Sequence, residues 1–159
     1  MVLSKVRGYF RELSGRMFIA EIPEASWVEV IINAASIDTG DPTRDEHLRS
    51  ADFLDVVQHP EITYRSTGVQ PAPRDKWAVS GPLTVRRSTR DVQLLVEFCG
   101  ANPDPRGKIR AGFLATTQID REDFDITWNQ ALESGGFSAG KGVKIEIDAE
   151  AIRDDDTDR

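Results

Sequence analysis

Period-two alternation constrains this chain more than any other feature. In "WVEVIINA" Val28, Val30 and Ile32 share one face, and in "EITYRS" Ile62 and Tyr64 oppose Thr63 and Arg65. The same pattern puts Trp77, Val79, Leu83 and Val85 in phase in "KWAVSGPLTVR", and Val92, Leu94, Val96 and Phe98 in "DVQLLVEFCG". It recurs as Ile109, Ala111 and Phe113 in "KIRAGFLATTQI", and as Val143, Ile145, Ile147 and Ala149 in "GVKIEIDAEA". Turn clusters separate these runs: "VQPAPRD", "RRSTRD", "ANPDPRG" and "ESGGFSAGKG". Such connections join antiparallel neighbours and leave no room for crossover helices. The chain is expected to be all-β and antiparallel.

A flat sheet of this many strands would expose two edges and one apolar face unless it closes or doubles. Both an up-and-down barrel and a two-sheet sandwich satisfy the pattern. The hairpin-like connections favour the barrel, since sandwiches use longer Greek-key returns. Gly81-Pro82 and Gly112, inside strand patterns, read as bends or bulges of a curving sheet.

At 159 residues the chain has the size of one domain, taken here as residues 1–152 followed by an acidic, disordered tail, "RDDDTDR", at 153–159. Its 39% hydrophobic and 30% charged residues are those of a globular chain. No apolar run approaches the roughly 20 residues that span a bilayer. The opening "MVLSKVRGYF" lacks a signal peptide's apolar core, and Cys99 has no disulfide partner, which together point to the cytoplasm. A net charge of −7 disfavours nucleic acid as a partner.

The stretch "SIDTGDPTRDEHLRSADFLD" is dense in charge. Thr43 to Glu46 fits a capping box and Asp41-Pro42 is a further helix-start signal, with His59-Pro60 as a stop, so a short helix is expected over about 43–55, near one mouth of a barrel. His47 with Asp45 and Asp38 is the candidate group for a hydrolase or a metal-dependent enzyme. Against it, the chain has two histidines and neither H-E-x-x-H nor a calcium-loop spacing. Ser80-Gly81 and Ser134-Gly135 lack the nucleophile elbow, and the glycines at 135, 136, 140 and 142, which could suggest a phosphate loop, form no G-x-x-x-x-G-K-[ST] motif and read as a hairpin loop. Helix capping and local ion pairs are the better-supported reading of the charges, with no catalytic residue and no metal expected.

Tyr64, Trp77, Phe98 and Phe113 fall in phase with the aliphatic faces, so they point into whatever the sheet encloses. An eight-stranded barrel either fills its interior with side chains or holds one small ligand. The order of several blocks decides what this pattern is similar to. "VRGYFRELSG" at 6–15, "ASIDTGDPTRDEHLRSADFLDVVQHPEITYRST" at 35–67, "SGPLTVR" at 80–86, "RAGFLATTQIDREDFDITWN" at 110–129 and "VKIEIDAEA" at 143–151 resemble the YceI-like family. The resemblance implies a lipocalin-like antiparallel β-barrel around a polyisoprenoid, such as an isoprenoid quinone or polyprenyl phosphate, and no catalysis or resident cofactor.

Three departures from the family pattern carry their own expectations. Strand sequence usually precedes the motif at Val6, so a missing leading strand would leave an unpaired seam, take any export signal with it, and invite strand addition or a homodimer. Arg87 and Asp125 stand where glycine is common; Asp tolerates left-handed backbone better than most residues. By strand phase, the residues expected to line an apolar tunnel are Val30, Ile32, Tyr64, Trp77, Val79, Leu83, Val96, Phe98, Phe113 and Ile145. The expected function is binding, carrying or storing a long-chain isoprenoid lipid. The rivals are the small hydrolase or metal enzyme above, and a stress-related structural or interaction protein with a filled barrel.

Overall fold

The computed structural model describes residues 6–130 and 139–154. Along these the order is β1 (Tyr9–Phe10), β2 (Leu13–Phe18), β3 (Trp27–Asn33), β4 (Ile37–Asp38), α1 (Pro42–Arg49), β5 (Glu61–Arg65), β6 (Gly68–Ala72), β7 (Lys76–Val85), β8 (Ser88–Pro103), β9 (Ile109–Asp120) and β10 (Gly142–Ile152). The main sheet runs β10-β9-β8-β7-β5-β3-β2, with β6 added on β7, and every pairing is antiparallel. The sheet curls as the wall of a lipocalin-like barrel. β1 and β4 form a separate two-stranded ribbon. No helix among the described residues is long and apolar enough to cross a membrane.

Curvature comes from two places. β7 changes partner along its length: Lys76 to Ser80 pair with β6, whereas Leu83 and Thr84 pair with β5. Gly81 marks the change, because a Cβ there would overlap the carbonyl oxygen of Arg65. The register of β7 on β8 nevertheless runs unbroken through Gly81 and Pro82, so this corner is an exchange of neighbours and not a bulge. The bulge lies in β8, where Cys99 and Gly100 together stand opposite Gly112.

Three local expectations need correction. The helix starts two residues earlier than the capping box suggests, because Asp41 is the cap: its carboxylate accepts from the N–H groups of Thr43 and Arg44, and Pro42 occupies the first turn. It also stops at Arg49 and not near 55, since Ser50 turns extended and its hydroxyl donates to the His47 carbonyl at 2.6 Å. The following turns let Phe53, Leu54 and Val56 pack on the core. Finally, "VQPAPRD" is not wholly turn: β6 uses its first half, with Pro71 opposite Trp77. "ANPDPRG" likewise gives its first residues to β8, which extends to Pro103.

The hairpin at Arg86-Arg87 puts its positive φ (56°) on Arg86, and Arg87 needs none. Asp125 is left-handed at φ 58°, closing the short 3-10 turn Arg121–Phe124, and its carboxylate accepts from the Ser88 hydroxyl at 2.8 Å. The acidic tail from residue 155 onward, and Ser134 with the glycines at 135 and 136, lie outside the described residues.

Candidate functional site

The alternating positions of the sheet meet on one face. Val30 stands opposite Tyr64 and Tyr64 opposite Leu83, Ile32 opposite Ile62, and Val79 opposite Leu94. A second row runs Trp77, Val96, Ala115, Ile147 across four strands, and a third runs Phe98, Phe113, Ala149. Ile145 lies opposite Thr117 at the same phase. Residues directly opposite in an antiparallel pair share a face. The register therefore brings all the strand-phase candidates onto a single concave surface.

That surface is not uniform. Tyr64, Val79 and Leu83 are buried in the main core with Ile62, Val92, Leu94, Phe124 and Ile126. The Tyr64 hydroxyl donates into the carbonyls of Val79 at 3.1 Å and Val92 at 3.2 Å, and burial pushes the phenol pKa up to about 12, assisted by the Asp91 carboxylate. Packing thus fills the interior where Tyr64 stands. Val30, Ile32, Trp77, Val96, Phe113 and Ile145 are half-buried, and Phe98 is 50% exposed beside the β8 bulge, its ring 5.5 Å from that of Phe113. Beyond the Tyr64 layer the concave face presents aromatic and aliphatic surface that the described residues bury only in part. Leu13 and Met17 share this face, because they pair with Ile32 and Val28. Sequence reasoning missed them: "LSGRMF" alternates too weakly to announce a strand, and Gly15 stands opposite Val30 because the backbone of Glu29 leaves no room for a Cβ.

The polar candidates do not converge. Asp45 is buried, and its carboxylate accepts from the N–H and hydroxyl of Thr39. Asp38 accepts from Gly40 N–H and Arg11 Nε, two bonds that hold its carboxyl below the usual carboxylate range. His47 Nε2 lies 2.8 Å from Asp52, with its ring edge-on to Phe53 and Trp128 at 5.0 and 4.5 Å. Each of the three is bound to a different partner, and no cluster of potential metal ligands occurs among the described residues. Two surface grooves, of about 690 and 290 Å³, are lined by none of the strand-phase candidates, the larger running along Arg11 to Ser14 with Ile31 and Glu61, the smaller between Asp91 and Asp120.

A curled antiparallel sheet with one short helix and an apolar concave face is a form that other chains share, and the family model of the YceI-like domain matches residues 1–151. This chain belongs to the YceI-like family. A UPF0312 protein of Ectopseudomonas mendocina (strain ymp) is 43% identical to it over 147 residues, which are 92% of this chain and 74% of that protein. The protein YceI of Salmonella arizonae is 40% identical over 147 residues, covering 92% and 73% of the two chains. Among solved structures, the Campylobacter jejuni YceI protein superposes with a TM-score of 0.81 at 24% identity, over 98% of this chain and 89% of that one. Burkholderia cenocepacia BcnA does so with a TM-score of 0.78 at 21% identity, over 91% and 86%. Those two likenesses bear on the YceI fold alone.

Proposed function

We propose that this YceI-like chain binds one long alkyl chain, of the isoprenoid quinone or polyprenyl phosphate kind, along its concave face, and that it carries or stores that lipid without catalysing a reaction. The observation behind this reading is the apolar row that leads from Trp77 and Val96, half-buried against the core, to Phe113 and the exposed Phe98, beyond the packed Tyr64 layer. A half-exposed Phe costs free energy in water, and each methylene laid against such a surface contributes about 0.8 kcal/mol. A long tail then gains affinity without directional polar contacts, so selectivity lies in tail length more than in head group. The separate partners of Asp38, Asp45 and His47 offer no support for the hydrolytic alternative.

Native mass spectrometry of the protein from its own host, followed by titration with a fluorescent prenyl-chain probe, tests this. A lipid-sized adduct and saturable probe binding are expected, and Phe98→Glu weakens the probe about tenfold while leaving the melting temperature unchanged, because the position is exposed. Absence of both adduct and saturable binding rejects the lipid reading.

A further inference from the structure

The connections of an antiparallel sheet alternate between its two ends. The β3–β5 connection with α1, the β7–β8 hairpin and the 3-10 turn after β9 fall at one end, whereas the β2–β3, β6–β7 and β8–β9 connections fall at the other. The first end is closed, because Phe124 and Ile126 pack there into the core with Tyr64. Toward the second, the inward positions of β8 lose their cover: Val92 and Leu94 are buried, Val96 is half-buried and Phe98 is exposed. That second end is the open mouth of the concave face.

Residues 19–26, between β2 and β3, stand at this mouth. At their base Phe18 and Trp27 lie opposite each other and face outward, since Met17 and Val28 beside them face in, and their rings stack at 6.5 Å. Trp27 is 38% and Ile22 68% exposed, with Phe18 and Ile19 between these values. The backbone that presents them is ordered by its own hydrogen bonds: Ala25 N–H donates to the Ile22 carbonyl at 2.9 Å, Ser26 N–H to the Pro23 carbonyl at 3.0 Å, and Ala20 N–H to the Ser26 hydroxyl at 3.0 Å. A fixed cluster of four large apolar side chains in water marks an interaction surface.

Neither surface groove suits the cluster of a second copy, because charged residues line both: Arg11, Glu12 and Glu61 in one, Asp91, Asp120 and Asp123 in the other. On the connections at the mouth, the exposed charges without an ion-pair partner among the described residues include Arg74, Arg106 and Lys108 on one side, and Glu21, Glu24 and Asp75 on the other. These cancel, and the whole chain carries −7, so no positive field draws the mouth to an anionic surface.

We propose that the open mouth docks on a lipid bilayer of zwitterionic head groups, with Phe18, Ile19, Ile22 and Trp27 immersed in its interfacial layer. Aromatic rings favour that layer, and each immersed side chain removes apolar area from water. The choice of a bilayer as occupant rests on the lipid reading, since a tail leaving the membrane at this end meets Phe98 and Phe113 without crossing water.

The test is flotation of the full chain with phosphatidylcholine vesicles that contain no prenyl lipid, alongside titration of the soluble prenyl-chain probe. Saturable vesicle binding is expected, no tighter when phosphatidylglycerol replaces half of the lipid. Ile19→Ser/Ile22→Ser, at two exposed positions, keeps the melting temperature and the probe affinity but binds vesicles about tenfold more weakly. Absence of vesicle binding, or equal binding by the double variant, overturns the docking; if the probe still binds, the lipid reading stands without it. Vesicle binding without probe binding supports the docking and rejects the lipid reading alone. Binding only to phosphatidylglycerol vesicles, abolished by salt, overturns the proposal in favour of electrostatic adsorption. A dimer by light scattering that the double variant dissociates overturns it in favour of a second copy.

Discussion

Asp45, in the first turn of α1, accepts hydrogen bonds from both the N–H and the hydroxyl of Thr39, six residues before it. Arg44 completes the arrangement by donating from Nε to the same Thr39 hydroxyl at 2.8 Å and from its terminal nitrogen to the Thr39 carbonyl at 3.2 Å. Arg49 adds bonds to the carbonyls of Ala35 and Ile37, both at 2.8 Å. The charges of this stretch thus fasten the helix to the segment before it.

Removing the buried carboxylate leaves the part-buried N–H and hydroxyl of Thr39 without this acceptor. Asp45→Ala is expected to cost about 2–3 kcal/mol in urea unfolding, within the range for orphaned buried donors, whereas Glu46→Ala, exposed on the same helix, costs less than about 0.5 kcal/mol. Equal effects at the two positions would mean that the Thr39 contact carries no special weight.

The Tyr64 hydroxyl spans to β7 and β8 at once, so Tyr64→Phe is expected to cost about 1–2 kcal/mol. The phenol pKa, raised from 10.0 to about 12 by burial first and by the Asp91 charge second, adds a pH dependence. The folded state holds this proton more tightly than the unfolded chain does. Its contribution is therefore fully present below pH 10 and is lost as pH rises through about 12. Ultraviolet titration of phenolate formation should lose its late phase, near pH 12, in Tyr64→Phe.

How far the sequence carried can be judged from particular strands. β3, β5, β7, β8, β9 and β10 were legible because one face of each is mostly apolar over the stretch that alternates, and alternation of that kind reports a half-buried sheet directly. β2 and β6 were not. "LSGRMF" places a glycine where Val30 needs its neighbour close and alternates too weakly to read as a strand, and "GVQPA" is a short strand carrying proline, so its residues read as a turn cluster. The concave face was legible as a set of phases; which members are packed and which are open was not, because that depends on where the 3-10 turn after β9 brings Phe124 and Ile126 into the core. Nothing in the pattern around Tyr64 announces that its hydroxyl reaches two other strands.

Asp125 combines a left-handed backbone with a side-chain bond to Ser88, two effects that substitutions can separate. Asp125→Ala loses the bond and keeps the strain, and is expected to destabilise by about 1–2 kcal/mol. Asp125→Gly loses the same bond but relieves the backbone, so it falls within about 0.5 kcal/mol of the parent. Asp125→Asn, which keeps both an acceptor and a tolerance for φ near 58°, should match the parent as well. Thermal melts of the three variants order them Asn and Gly above Ala. An Ala variant as stable as the Gly variant would show that the turn carries no backbone strain.

Gly81 stands where β7 leaves β6 for β5, and the strand end at Arg65 and Ser66 passes directly over it. The obstacle to a side chain there is backbone, the Arg65 carbonyl and the Ser66 Cα, and not the flexible end of a neighbour. Backbone in a paired strand moves only by breaking its ladder, and the Val28 N–H to Ser66 hydroxyl bond at 2.8 Å ties this crossing to β3 as well. Gly81→Ala is therefore expected to cost about 3 kcal/mol or more, beyond the usual range of a single added methyl. Gly68→Ala, by contrast, meets nothing within 4 Å and serves as the control. If the crossing sets the curvature of the sheet, Gly81→Ala also weakens prenyl-probe binding, since the Val30, Tyr64 and Leu83 row that floors the concave face depends on the β3, β5 and β7 pairings made beside it. Equal melting temperatures for the two alanine variants would show that β5 shifts without cost and that the corner is not fixed at Gly81.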